Sequence, residues 1–362
     1  DEDSEKRIAT HGLILVFIFG LAVALIGMSF HDSIFRAMGA HEELLPLIRD
    51  YMMIWFAGAV FVTLPLVGNA ALRAAGDTFT PSLIMTVVAV VNLILDPIMI
   101  FGLFGFPRLE IVGAALSTVL ANAAAMVAGL YVLGVRRKML LPLNDLHLDK
   151  FGDSTRRLLF IALPAGLTNA IQPIVSGFIL YLLAGYGPEA VAAFGVAGRI
   201  EAFAFIILMA VSVGMAPIIG QNWGAGKHDR VQETLKLAIG FNVIWSLLVA
   251  IILGLFAGPI AGVFSDDPLV VQTTKTFFWI VPLSYVFGNL IQGWASAFNA
   301  IGKPQRAFAM IAIKMIVMLI PAVVIGEHLA GVAGIFWGIA VVNVISGIAF
   351  HIYSARACKQ KS

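Results

Sequence analysis

Pro81–Leu103, PSLIMTVVAVVNLILDPIMIFGL, is an apolar run interrupted by one ionisable side chain, Asp96. About 20 apolar residues suffice for a helix to cross the hydrocarbon of a bilayer. A carboxylate in that setting is costly, so it is a candidate functional group by default, suited to taking up a proton or holding a cation. Asn92 lies four residues earlier and projects from the same helical face. Pro97 follows the acid and cannot donate to the carbonyl of Leu93, which frees a polar backbone group beside it.

The rest of the chain has the same character. Of 362 residues, 60% are hydrophobic and 12% charged, with a mean hydropathy of +0.95. Soluble domains carry about 25% charged residues, so the composition reads as an all-α polytopic membrane protein. The single cysteine, Cys358, excludes an intrachain disulfide and a cysteine-based metal cluster. Ten spanning runs are expected: Leu13–Phe30, Leu45–Ala71, Pro81–Leu103, Val112–Leu133, Leu158–Leu183, Val191–Ile219, Ala238–Phe256, Phe277–Ala297, Ala307–Ile325 and Ala330–Phe350. The polar connection through residues 135–157 separates an amino-terminal lobe, 1–134, from a carboxy-terminal lobe, 158–362. Seventeen of the 23 lysines and arginines fall in the N-terminal segment, the loops after even-numbered runs and the C-terminal tail. The positive-inside rule therefore places both ends on the cytoplasmic side of a cell (inner) membrane.

Shifting the chain by 226 residues lays AALRAAGD, Ala70–Asp77, over SAFNAIGK, Ser296–Lys303. Further on, Gly113 and Asn122 match Gly334 and Asn343 at an offset of 221. Helix order agrees with this register, which reads as a parallel internal repeat of the kind found in transporters. The second copy has two leading runs with no counterpart here, so two pseudo-symmetric lobes and a twelve-helix fold are expected, with ten helices present. The opening DEDSEKR has the composition of a loop between helices.

GNAALRAAGDTFTP, VNLILDPIMIFG, IVGAALSTVLAN, GQNWGAGKHDR and FNAIGKPQ occur in an order that resembles the multidrug and toxic compound extrusion (MATE) transporters. The resemblance implies two six-helix lobes, alternating access, and antiport of amphipathic or cationic organic compounds against H⁺ or Na⁺, with no cofactor. It also implies a cation-coupling group made of Asp96, Asn92, Asn69 and Ser117 or Thr118, with Na⁺ as one candidate ion at Asp96. The family's partner aspartate, on its first helix, has no counterpart in this sequence. Two carboxylates of the carboxy lobe in NorM-like members fall on Gln172 and Gly288, neither ionisable, which points to a DinF-like branch.

Other polar residues inside apolar runs are secondary candidates for a substrate cavity: Asn169, Gln172, Arg199, Glu201 and Lys314. Lys314 is the chief rival to Asp96, as a residue that snorkels, pairs with Glu201 or titrates. A lipid-linked precursor flippase is the alternative function, but it calls for several cations lining a cavity, and only Lys314 and Arg199 qualify. A prenyl-transferring membrane enzyme would need clustered acids for Mg²⁺–diphosphate, whereas Asp266–Asp267 fall in an outer loop. A channel would leave the repeat and the lone acid unexplained. The partners expected are small amphipathic molecules and lipid, without nucleic acid, and the expected state is a monomer.

Overall fold

The computed structural model describes residues 2–37, 42–43, 45–142 and 145–359; the side chains of Glu2, Ala37, Leu148 and residues 357–359, Cys358 among them, lie outside the described set. Helices account for nearly all of it, and no strand occurs among the described residues. The chain divides into two compact units, Asp1–Leu159 and Phe160–Ser362.

The first unit contains α1 (Glu2–Ala37), α2 (Leu45–Ala57), α3 (Ala59–Ala74), α4 (Phe79–Phe101) and α5 (Glu110–Tyr131). The second apolar run is the pair α2–α3, bent by 49° at Gly58. A β-carbon at Gly58 would lie 2.5 Å from a methyl of Val119, so the bend and the packing on α5 depend on its absence. A small core of Leu13, Val60, Leu64, Leu72, Val132 and Leu133 holds α1, α3 and the end of α5 together. The polar connection is tied back to α1: Thr10 Oγ1 accepts from Leu141 N at 2.9 Å, and His11 Nε2 lies 2.7 Å from the Leu146 carbonyl.

Asp77 organises the turn into α4. It accepts from the Thr80 backbone N–H at 3.0 Å and the Thr80 hydroxyl at 2.8 Å, and pairs with Arg137. The two Thr80 bonds, with Arg137 behind them, hold its carboxyl down at about 2.

Helix α6 (Phe151–Ala184) starts inside the segment read from sequence as a connection and carries the boundary between the units. Beyond it the second unit holds α7 (Pro188–Gly224), α8 (His228–Leu255), α9 (Ala257–Phe264), α10 (Pro268–Ile280), α11 (Tyr285–Ala300), α12 (Pro304–Ala312) and α13 (Ile320–Lys359). Asp267 caps α10, accepting from Leu269 N at 2.8 Å and Val270 N at 3.3 Å, with Pro268 in the first turn. The eighth apolar run is broken: a 3₁₀ turn, Pro282–Ser284, separates α10 from α11. The ninth contains a π-helical stretch, Ile313–Leu319, between α12 and α13. Edge-to-face contacts of Phe277 with Phe278 and Phe336 lie at the centre of this unit's core.

Helix α13 is two antiparallel arms, since Ala330 and Gly331 (φ 56°, ψ −135°) leave helical geometry. A β-carbon added at Gly338 would meet the Ala322 carbonyl at 2.7 Å. Sixteen helical residues would separate these positions by about 24 Å in a straight helix. The first arm continues the end of the ninth apolar run, and the second is the tenth. Among the described residues seven helices are long and apolar enough to cross a membrane, or eight with α2–α3 as one span. The ten runs exceed that count because α10–α11 is interrupted and Pro304–Arg356 holds two runs. Outward-facing residues such as Leu93, Phe203 and Ile244 give these helices apolar surfaces suited to hydrocarbon.

Candidate functional site

The site in the first unit is set by how closely α4 and α5 cross. A β-carbon at Gly113 would lie 2.5 Å from the Met99 carbonyl, so only glycine allows the approach. One turn along each helix, in opposite directions, the crossing sets Ser117 beside Asp96. The Ser117 hydroxyl, fully buried, donates to Asp96 Oδ1. Asn92 Nδ2 reaches the same oxygen at 3.4 Å and Thr118 Oγ1 at 3.3 Å. Four of the five residues expected at the cation-coupling group thus converge. The fifth, Asn69, is buried on α3, which packs on α5, but among the described residues no hydrogen bond joins it to the other four.

The hydroxyl geometry allows two states. Ser117 Oγ is also 3.1 Å from the Ala114 carbonyl, and a hydroxyl has one proton to give. With Asp96 ionised, that proton points at the carboxylate. With Asp96 protonated, the acid donates to Ser117 Oγ and the serine proton turns to Ala114. Both forms are satisfied without moving a helix. Thr118 Oγ1 bonds the same carbonyl at 2.9 Å while accepting from Asn92.

The repeat register gives a control within the same chain. By the two offsets, Asp96 corresponds to Ala322 and Ser117 to Gly338. Those residues meet backbone to backbone across the α13 hairpin, and neither has a polar side chain. The close crossing is common to both copies, but the acid–hydroxyl pair belongs to the amino-terminal one.

The second unit encloses a hollow of about 410 Å³. Asn169, Gln172, Glu201 and Lys314 line it, as does Gly288, whereas Arg199 lies on an exposed face of α7 away from it. Lys314 is buried within the π-helical stretch and lines the same hollow as Glu201, without a direct ion pair between them. The Tyr285 hydroxyl is buried beside Glu201, close enough to interact with it but without a well-formed hydrogen bond. Asn289 Nδ2 lies 3.3 Å from Ser246 Oγ, and Asn343 Nδ2 donates to Ser284 Oγ at 2.9 Å. Sequence reasoning did not single out Tyr285, Asn242 or Gln292 as lining residues. Asn242 lies on α8, Tyr285 and Gln292 on α11, and only the packing of α7, α8, α11 and α13 collects them. Among the described residues no three His, Cys, Asp or Glu side chains are placed to hold a metal ion.

A family model described as MatE matches residues 2–98 and 164–325. The chain is 36% identical over 347 residues to a FAD transporter of Shewanella oneidensis, covering 96% of this chain and 76% of that protein. It is 30% identical to the multidrug export protein MepA of Staphylococcus haemolyticus, covering 94% of this chain and 74% of MepA. The crystal structure of the Vibrio cholerae MATE transporter VcmN in the bent form superposes with a TM-score of 0.88 at 28% identity, covering 98% of this chain and 80% of that one. The helical fold, the apolar spans and these matches agree: the chain belongs to the MatE family and is a multi-pass membrane transporter, not an enzyme.

Proposed function

We propose that this transporter exports amphipathic or cationic organic compounds in exchange for an inward-moving cation, and that Asp96 binds that cation. The observation that carries the reading is the Asp96 cluster itself, in which Ser117 can satisfy the acid with or without its proton. Asn92 bridges Asp96 and Thr118 within the cluster, and H⁺ or Na⁺ is the coupling ion in this reading. Asn69, buried on α3 against α5, is the fifth member of the coupling group in this reading. The amino-terminal lobe, residues 1–134, carries the coupling, and the connection 135–157 joins it to the carboxy lobe, 158–362. Because Gln172 and Gly288 cannot ionise, coupling falls to the amino lobe, in line with a DinF-like branch. The basic loops face the cytoplasm, and a single copy is the working unit.

A second reading concerns the cargo. Identity to the FAD transporter, at 36%, exceeds that to MepA of S. haemolyticus, at 30%, over a similar share of the chain. That favours FAD as a substrate to be tested beside organic cations. Proteoliposomes loaded with either FAD or an amphipathic fluorescent cation, under separately imposed H⁺ and Na⁺ gradients, decide both questions. Efflux driven by one of the two gradients is expected. Efflux indifferent to both gradients would defeat the antiport reading.

A further inference from the structure

We propose that the hollow of the second unit is a binding site for a flat heteroaromatic ring bearing an anionic group, with Lys314 as its counter-charge and Glu201 as the group the ligand displaces. Its volume of about 410 Å³ is within the range of small-molecule sites, about 300–1,000 Å³. The rings of the half-buried Phe194 and Phe205 line it, and the carboxamides of Asn169, Gln172 and Gln292 offer paired donors and acceptors. Such amides match the in-plane hydrogen-bonding edge of a heteroaromatic ring, while the phenyl groups take its faces.

The sign of the charge follows from what each ion has in reserve. Among the described residues lining the hollow, Glu201 is the only acid and Lys314 the only base. Glu201 has a second donor at hand, the buried Tyr285 hydroxyl, which has no well-formed hydrogen bond as it stands. When an anionic ligand draws the Lys314 ammonium away, Tyr285 O–H donates to Glu201 and the carboxylate remains satisfied. A cationic ligand drawing Glu201 away would leave the Lys314 ammonium without a charged partner, which is costly in a buried setting. Lys314 is also the more adaptable partner. It is a long stem on a widened π-helical stretch, a distortion frequent at functional sites.

The inference rests on the transport reading only in that a bound ligand would be cargo. Binding is measured on the full chain in detergent, without a gradient, so its outcome is independent of Asp96 and of coupling. The probes are riboflavin 5′-phosphate and riboflavin, which share a fluorescent ring and differ by one phosphate. Quenching titrations should show the phosphate ester binding about tenfold tighter or better, as a charge-assisted bond would give. Lys314→Gln should erase that preference while riboflavin affinity stays. Glu201→Gln should strengthen binding of the phosphate ester, because its competitor is gone, and Tyr285→Phe should weaken it. Loss of packing alone would weaken both flavins in every variant. Equal affinity of the two flavins, absence of binding, or weaker binding of the phosphate ester in Glu201→Gln overturns the proposal. Should Lys314→Gln fail to fold, the wild-type comparison and Glu201→Gln decide it.

Discussion

At the scale of single residues, Asp96 and Asp77 are two carboxylates with opposite surroundings. Asp96 meets hydroxyl and amide groups that can follow a change in its protonation. Asp77 is fixed by Thr80 and Arg137 in its charged form. Ser117→Ala should leave folding intact and slow gradient-driven efflux by about tenfold, the scale of a hydrogen bond to a charged group. Transport assays on reconstituted protein check it, and unchanged efflux would remove Ser117 from the site. For Asp77 the folded-state value, about 2, lies below the ordinary 3.8. Its stabilising contribution is therefore complete above about pH 4 and is lost as the pH falls toward 2. Thermal unfolding in detergent should show Asp77→Asn less stable than wild type at pH 6, with the gap closing by pH 2. Asp96 and Asn92 were legible in the sequence because a charge and an amide four apart stand out in an apolar run. Tyr285 was not, since nothing in YVFGN marks which tyrosine ends beside a glutamate 84 residues earlier.

At the scale of elements, glycine decides where helices approach. Gly113 against Met99 and Gly334 against Gly326 make equivalent close crossings in the two copies of the repeat. Gly113→Val should push α4 from α5 and cost about 1–3 kcal/mol of stability, as overpacking does. A lower unfolding temperature together with weakened efflux is the expected pair of results, and wild-type values for both would show that the crossing has slack. The apolar runs marked most helices directly. The break at Pro282–Ser284 and the reversal at Ala330–Gly331 were harder to see. A proline inside an apolar run is compatible with a kinked helix as well as with a broken one. The π-helical stretch around Lys314 has no composition signal, because it is a change of hydrogen-bond register within a continuous apolar run.

At the scale of the whole molecule, the family and the all-helical fold were legible from composition, the repeat and five motifs in order. Coupling, cargo and sidedness are properties of the transporter in a membrane, and each has its own assay. With Cys358 replaced by serine, single cysteines at Arg137 and at Asp266 should label from opposite faces of inside-out and right-side-out vesicles. Labelling of both from one face would contradict the charge-based orientation. The central claim is that Asp96 carries the coupling ion. Reconstituted wild type and Asp96→Asn should therefore be compared in one experiment, with efflux of an amphipathic fluorescent cation driven by an imposed H⁺ or Na⁺ gradient measured beside its exchange at equilibrium without a gradient. Asp96→Asn should abolish the gradient-driven efflux and keep the exchange; gradient-driven efflux at the wild-type rate in Asp96→Asn would show that the coupling ion binds elsewhere.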